Sequence, residues 1–256
     1  MGMDNAYLIA STVLAAVAAI AGILSVHRGH RSRWTVLWML AVFAFQLMFL
    51  AERGQLRKAC PLMDSGEILN FLAWSLTLFY LLIGPVYRIS LMGVFTAPVV
   101  TVLQLMAMIP GKMDANPQPV QNTNPWHETH SATSMLGYGA LGLAAVTALM
   151  FLVLNHQLKG KDLRGELFKN LPPVPHLLIS LKRLLWLGWA LLTIGIIAGY
   201  LAPNPVPMHH FISGIAIWLA YAALIGTHRI RGLAGRTFSL ATIVLFMVSL
   251  VLFVYI

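Results

Sequence analysis

Four histidines, His127, His130, His209 and His210, stand just outside apolar segments that only a membrane would accept. A pair of imidazoles at the mouths of two neighbouring helices can ligate a haem iron or another soft metal. His127 and His130 are three residues apart, so on a helix they share one face. Asn124 and Pro125 before them have the chemistry of an N-cap and a first helical residue. Glu128 lies between the two, either as an acceptor that polarises a ring or as an anion suited to a helix N-terminus. His209 and His210 follow a proline-rich run, Pro203-Asn204-Pro205-Val206-Pro207-Met208, and open another apolar segment. A ligand held between the two mouths takes one imidazole from each.

The segments that must position these rings are set by composition. Hydrophobic residues make up 59% of the 256 and charged residues only 10%, against about 25% charged in a soluble domain. The chain reads as an all-α, polytopic membrane helix bundle forming one domain over residues 1–256, with no soluble domain. Eight spans are expected, at about 6–26, 34–51, 66–86, 90–109, 131–155, 183–202, 210–228 and 237–256.

A net charge of +9 suggests nucleic acid until its distribution is read. Arg28, Arg31, Arg33, Arg88, Lys159, Lys161, Arg164, Lys169, Lys182, Arg183, Arg229, Arg231 and Arg236 all follow odd-numbered spans, and only Arg53, Arg57, Lys58 and Lys112 fall on the other side. By the positive-inside rule the odd loops are internal and both termini lie outside, as expected for the plasma (inner) membrane of a bacterium. Met1 to Asn5 holds Asp4 and no basic residue, which fits an outside N-terminus better than a cleavable signal peptide. The basic excess is thus an orientation signal, and no nucleic-acid role is expected. A single cysteine, Cys60, allows neither an internal disulfide nor a Cys-x-x-Cys redox pair. No hydrolytic constellation is visible, and the spans hold almost no ionisable residue to mark a transport path; Glu52 and Glu67 lie near an end.

Other residues carry weaker signals. His27, His30, His156, His176 and His228 lie among internal Lys and Arg, and His228, close to the end of span seven, is the least ordinary of them. Trp34, Trp126 and Trp186 fall near span ends, where amphipathic rings collect, whereas Trp74, Trp189 and Trp218 lie deeper, in packing or along a haem-sized cleft. Gly137, Gly139, Gly142, Gly188, Gly195 and Gly199 would either let helices approach closely or leave room for a flat ligand.

From about residue 64 onward the chain resembles the cytochrome c assembly proteins of the CcsA/HemX type. The stretch from Glu67 through Trp74 resembles the start of that family's third span, and His130 with Tyr138 is similar to its His-(x)7-Tyr at the outer start of a span. Leu171-Pro172-Pro173, then Arg183-Leu-Leu-Trp and the segment Leu191 to Gly199, resemble its loop and following span. Trp218 to Arg229, with Arg231 to Arg236, resembles its penultimate helix and basic turn.

The resemblance implies haem handling: haem, of the b type here, is taken from the inner side, held between helices and presented outside to apocytochrome c. It implies that His130 is the external ligand and that His228 approximates the histidine near the inner end of the penultimate helix. Assembly subunits, apocytochrome c and membrane lipid are the partners implied, with the covalent step made on a partner's cysteines. The chain itself is then a non-catalytic relative of a haem lyase subunit. Three departures place it nearer the HemX-like branch. Ala202 to Met208 stands where CcsA has a Trp-x-Trp-Asp type motif, no external histidine follows the last span before Ile256, and no partner subunit is fused. His209 or His210 is the expected substitute ligand opposite His130. The competing readings are an accessory protein that binds no haem, and a divalent-metal site built from His127, His130, His209, His210 and Glu128.

Overall fold

The structure, a computed structural model, describes residues 2–27, 34–84, 92–121, 123–159, 174–203 and 208–255. His30, the basic residues Arg28, Arg31, Arg33, Arg88, Lys161, Arg164 and Lys169, the run Leu171-Pro172-Pro173 and the segment Asn204 to Pro207 lie outside the described residues. Eight helices and no strand occur among the described residues: α1 (Met3–His27), α2 (Trp34–Arg57), α3 (Ser65–Ile83), α4 (Met92–Ala107), α5 (Pro125–Lys159), α6 (Val174–Leu201), α7 (Met208–Arg231) and α8 (Gly235–Tyr255). Seven are long and apolar enough to cross a membrane, and α4 is a shorter apolar helix. The chain is an integral membrane protein, all-α as the composition requires. Lipid takes the place of water around it, so large apolar side chains such as Leu40, Val102, Ile197 and Leu219 remain on the surface.

The helices cluster into two compact units, one formed by α1–α4 with the loop up to Thr123 and the other by α5–α8 from Asn124 onward. In the first, α1, α2, α3 and α4 each pack on their sequence neighbours and α1 closes against α4. In the second, the same cycle runs α5, α6, α7, α8, with α8 closing against α5. Each unit is therefore a closed four-helix arrangement in which consecutive helices run antiparallel.

Several helix boundaries differ from the hydropathy reading, and the α2 end does so for an electrostatic reason. The second span was expected to stop at about residue 51, yet α2 continues to Arg57. Its last turns are held by ion pairs: Arg53 Nε lies 3.1 Å from Asp4 Oδ2, Arg57 Nε 3.1 Å from Glu67 Oε1 and Arg57 Nη2 2.6 Å from Asp64 Oδ2. Arg53 and Glu67 are fully buried, so these residues, read from sequence as loop cations and an end-of-span acid, form the ionic core of that unit's end. Glu67 also accepts from the backbone N–H of Met63 at 3.0 Å and starts α3. The second difference is α6, which begins at Val174, well before the expected 183, and so places Lys182 and Arg183 inside a helix.

Within the α5–α8 unit, α5 and α6 meet along a seam of glycines. A Cβ on Gly137 would stand 3.2 Å from the Gly188 carbonyl oxygen, and one on Gly188 only 2.6 Å from Leu141 Cγ. The small residues therefore serve close approach along this seam. This seam positions the histidine at the start of α5.

Candidate functional site

Pro125 opens α5, and Asn124 Oδ1 accepts from the Trp126 backbone N–H at 2.9 Å, which caps the helix as its side-chain chemistry dictates. At 35 residues α5 is about 52 Å long, well beyond the ~30 Å of a hydrocarbon core. Its first turns can therefore stand outside the core while remaining helical. Glu128 lies in the first turn, where its charge complements the helix N-terminus.

His130 lies against α6. Its Nδ1 is 2.8 Å from the carbonyl oxygen of Gly195. A carbonyl only accepts, so Nδ1 carries the proton and Nε2 keeps its lone pair. The ring sits in a notch that α6 leaves for it, because a Cβ on Gly199 would be 2.8 Å from His130 Nδ1 and one on Gly195 would be 2.5 Å from Ser134 Oγ. This is the arrangement by which a metal-binding imidazole is oriented: one nitrogen fixed by a backbone acceptor, the other free.

Met208 begins α7, and His209 and His210 follow at once, both exposed, with ring centroids 4.3 Å apart. His210 interacts electrostatically with His209 and also with His130. The adjacent pair thus opens α7 in the same unit whose α5 opens on His127 and His130. His127 is half-buried one turn nearer the start of α5. Among the described residues no three His, Cys, Asp or Glu side chains gather as a group able to hold a metal ion.

His228 is at the opposite end of α7, 18 residues from His210, or about 27 Å along the helix. It lines a cavity of about 410 Å³ with Lys182, Trp186, Arg229 and Phe238. Its ring stacks on Phe238 with centroids 4.0 Å apart, and its Nδ1 is buried with no hydrogen-bond partner. Two cations, two aromatic walls and an unpartnered imidazole nitrogen make a recess for a flat, anionic, partly apolar ligand. Sequence reasoning singled out His228 but not Lys182 or Phe238. Lys182 stands four residues before Trp186, a helical spacing that puts both on one face and was the available signal. Between the two ends, Trp189 and Trp218 stack at 5.1 Å, Trp186 meets Trp189 edge-on at 5.6 Å, and Trp218 Nε1 donates to Thr193 Oγ1 at 2.8 Å. Of the deeper tryptophans, Trp189 and Trp218 thus line the α6–α7 interface, whereas Trp74 of α3 packs on Phe43 and Phe71.

The fold is that of a polytopic helical membrane protein, with histidines at both ends of its second unit. Residues 63–255 match the family model described as cytochrome C assembly protein, and the chain belongs to that family. It is 26% identical over 221 residues to the cytochrome c biogenesis protein CcsA of Thermosynechococcus vestitus, covering 69% of each chain. Against the CcsA of Microcystis aeruginosa it is 27% identical over 229 residues, covering 69% of this chain and 70% of the relative. Against that of Prochlorococcus marinus it is 27% identical over 245 residues, covering 82% and 76%. These relatives carry the CcsA name, and the expected leaning toward a HemX-like branch receives no support from them.

Proposed function

We propose that this protein binds haem and passes it across the membrane to the face from which cytochrome c is assembled, with His130 and His210 as the axial ligand pair. The observation that carries the proposal is the hydrogen bond from His130 Nδ1 to the Gly195 carbonyl, which leaves Nε2 free, in a unit whose α7 opens on the exposed His209 and His210. Two axial imidazoles suffice for a haem iron, whereas a zinc or copper site calls for three or four converging donors. When bound, haem supplies the iron and the peripheral groups that a partner's cysteines capture.

The residues have separable roles. His130 presents Nε2, His210 would supply the second imidazole to the iron, and His209 steadies His210 by ring contact. His127, a turn away, is a reserve ligand on the same helix face. At the other end Lys182 and Arg229 would hold the carboxylates of haem b, with Trp186, Phe238 and His228 offering the apolar and imidazole walls of the recess. The distribution of basic residues supports a topology with the His228 end inside, the His130 end outside and both termini outside, and the membrane proposed is the plasma (inner) membrane of a bacterium. Apocytochrome c and assembly subunits are the partners on the outer side. The chain binds and delivers; the covalent bond is made on the partner.

Haem content of the purified full-length protein tests this reading, measured for the native chain, for His130→Ala and for the double change His209→Ala with His210→Ala. Each variant should lose most of the haem. Unaltered haem in both would show the site to be wrong. No Soret absorbance of the native protein after haem supplementation would favour an accessory role without haem.

A further inference from the structure

The α1–α4 unit carries a polar layer that the function above does not use. Arg53 of α2 joins Asp4 of α1 at 3.1 Å and Glu67 of α3 at 3.6 Å, which fixes the register of three helices. Seven residues further along each helix from that ionic group, two turns or about 10.5 Å, come Ser11, Gln46 and Trp74. Trp74 stacks on Phe43 at 5.8 Å, one turn from Gln46, so α2 and α3 do meet at this depth. From α4, Gln104 Nε2 donates to Ser11 Oγ at 2.6 Å and to Asn70 Oδ1 of α3 at 3.2 Å. Ser11, Gln46, Asn70 and Gln104 are all fully buried.

That layer is incompletely paired by protein. Gln46 Nε2 and Oε1, Asn70 Nδ2, Gln104 Oε1 and Trp74 Nε1 are buried and have no hydrogen-bond partner. Five such atoms in one layer are costly in a membrane protein, where neither lipid nor apolar side chains can satisfy them. Their chemistry selects the ligand. Three are donors and two are acceptors, none is charged, and water both donates and accepts. An anion would face the two carbonyl oxygens, and a cation the three N–H groups. A recess also lies near the layer, of about 210 Å³ and walled by Asn5, Leu8, Arg53, Ala107, Met108 and Asp114. Leu8 and Ala107 lie one helical turn from Ser11 and Gln104. The recess has room for several waters, each needing about 30 Å³ as liquid.

We propose that Gln46, Asn70, Trp74 and Gln104 form an internal hydration site, holding ordered water in the α1–α4 unit. The unit is then a hydrated polar bundle rather than a dry anchor.

Radiolytic hydroxyl-radical footprinting of the full-length protein reads water in place, because radicals born beside a side chain oxidise it. Met39 and Met92, fully buried in the same unit, are the dry references. With rates normalised to the unfolded chain, the half-buried Trp74 should be oxidised faster than either, and the part of that rate due to internal water is the part lost when the carboxamides are removed. Gln46→Leu with Gln104→Leu should lower the Trp74 rate severalfold while exposed Trp126 is unchanged. Gln46→Met alone serves the same purpose if the double variant does not fold. A native Trp74 rate equal to those of Met39 and Met92, or one that persists when the carboxamides are removed, overturns the proposal.

Discussion

The orientation of His130 rests on a contact that involves no second side chain. Its Nδ1 is held by the backbone carbonyl of Gly195, and the ring occupies space that exists only because residue 199 has no Cβ. Gly199→Ala should therefore turn the ring away and weaken haem retention by about tenfold, the usual consequence of losing an orienting contact. Gly214→Ala, whose new methyl group would meet nothing within 4 Å, should leave retention unchanged. Haem titration of both variants checks this pair. The histidine itself was legible in the sequence from its place at a span mouth and from the Tyr138 that follows it. Its partner was not, because a backbone acceptor leaves no residue-type signature. The choice between His209 and His210 was likewise open, since adjacent residues on a helix point about 100° apart and only the helix phase decides between them.

Helices were legible wherever hydrophobicity alone defines them, and less so where charge extends them. All eight expected spans have a helix, but α2 runs beyond its apolar stretch because Arg53 and Arg57 exchange solvent for Asp4, Asp64 and Glu67. Sequence offers these residues as isolated charges near span ends, and their pairing depends on elements far apart in the chain. Removing the shared acid by Glu67→Ala would leave buried guanidinium groups short of a partner and should cost about 3–5 kcal/mol. Glu67→Asp, which keeps the charge, should cost less. Unfolding by denaturant in detergent micelles would show the order. The glycine seam between α5 and α6 predicts a second effect. Gly188→Ala, with its Cβ directed at Leu141, should destabilise the α5–α8 unit by about 1–3 kcal/mol in the same assay through overpacking.

For the molecule as a whole, composition already demanded a polytopic helical membrane protein, and the basic residues gave it a direction. That direction predicts an external C-terminus: alkaline phosphatase fused there should be active and green fluorescent protein dark, and the reverse result would invert the topology. Resemblance to a known family was legible as a series of short matches in the right order, and residues 63–255 match that family's model. The cavity beside His228 was not legible, because its walls come from α6, α7 and α8 and no local motif contains them. Across the α5–α8 unit the two histidine stations are separated by about the thickness of a hydrocarbon core, as transfer between faces requires. The central claim is that a haem at the outer station is held by His130 and His210. The most direct test is the optical and electron paramagnetic resonance spectrum of haem-loaded full-length protein carrying His209→Ala or His210→Ala singly. The account predicts a low-spin, bis-imidazole spectrum retained in His209→Ala and replaced by a high-spin spectrum in His210→Ala. A low-spin spectrum that survives His210→Ala would contradict it.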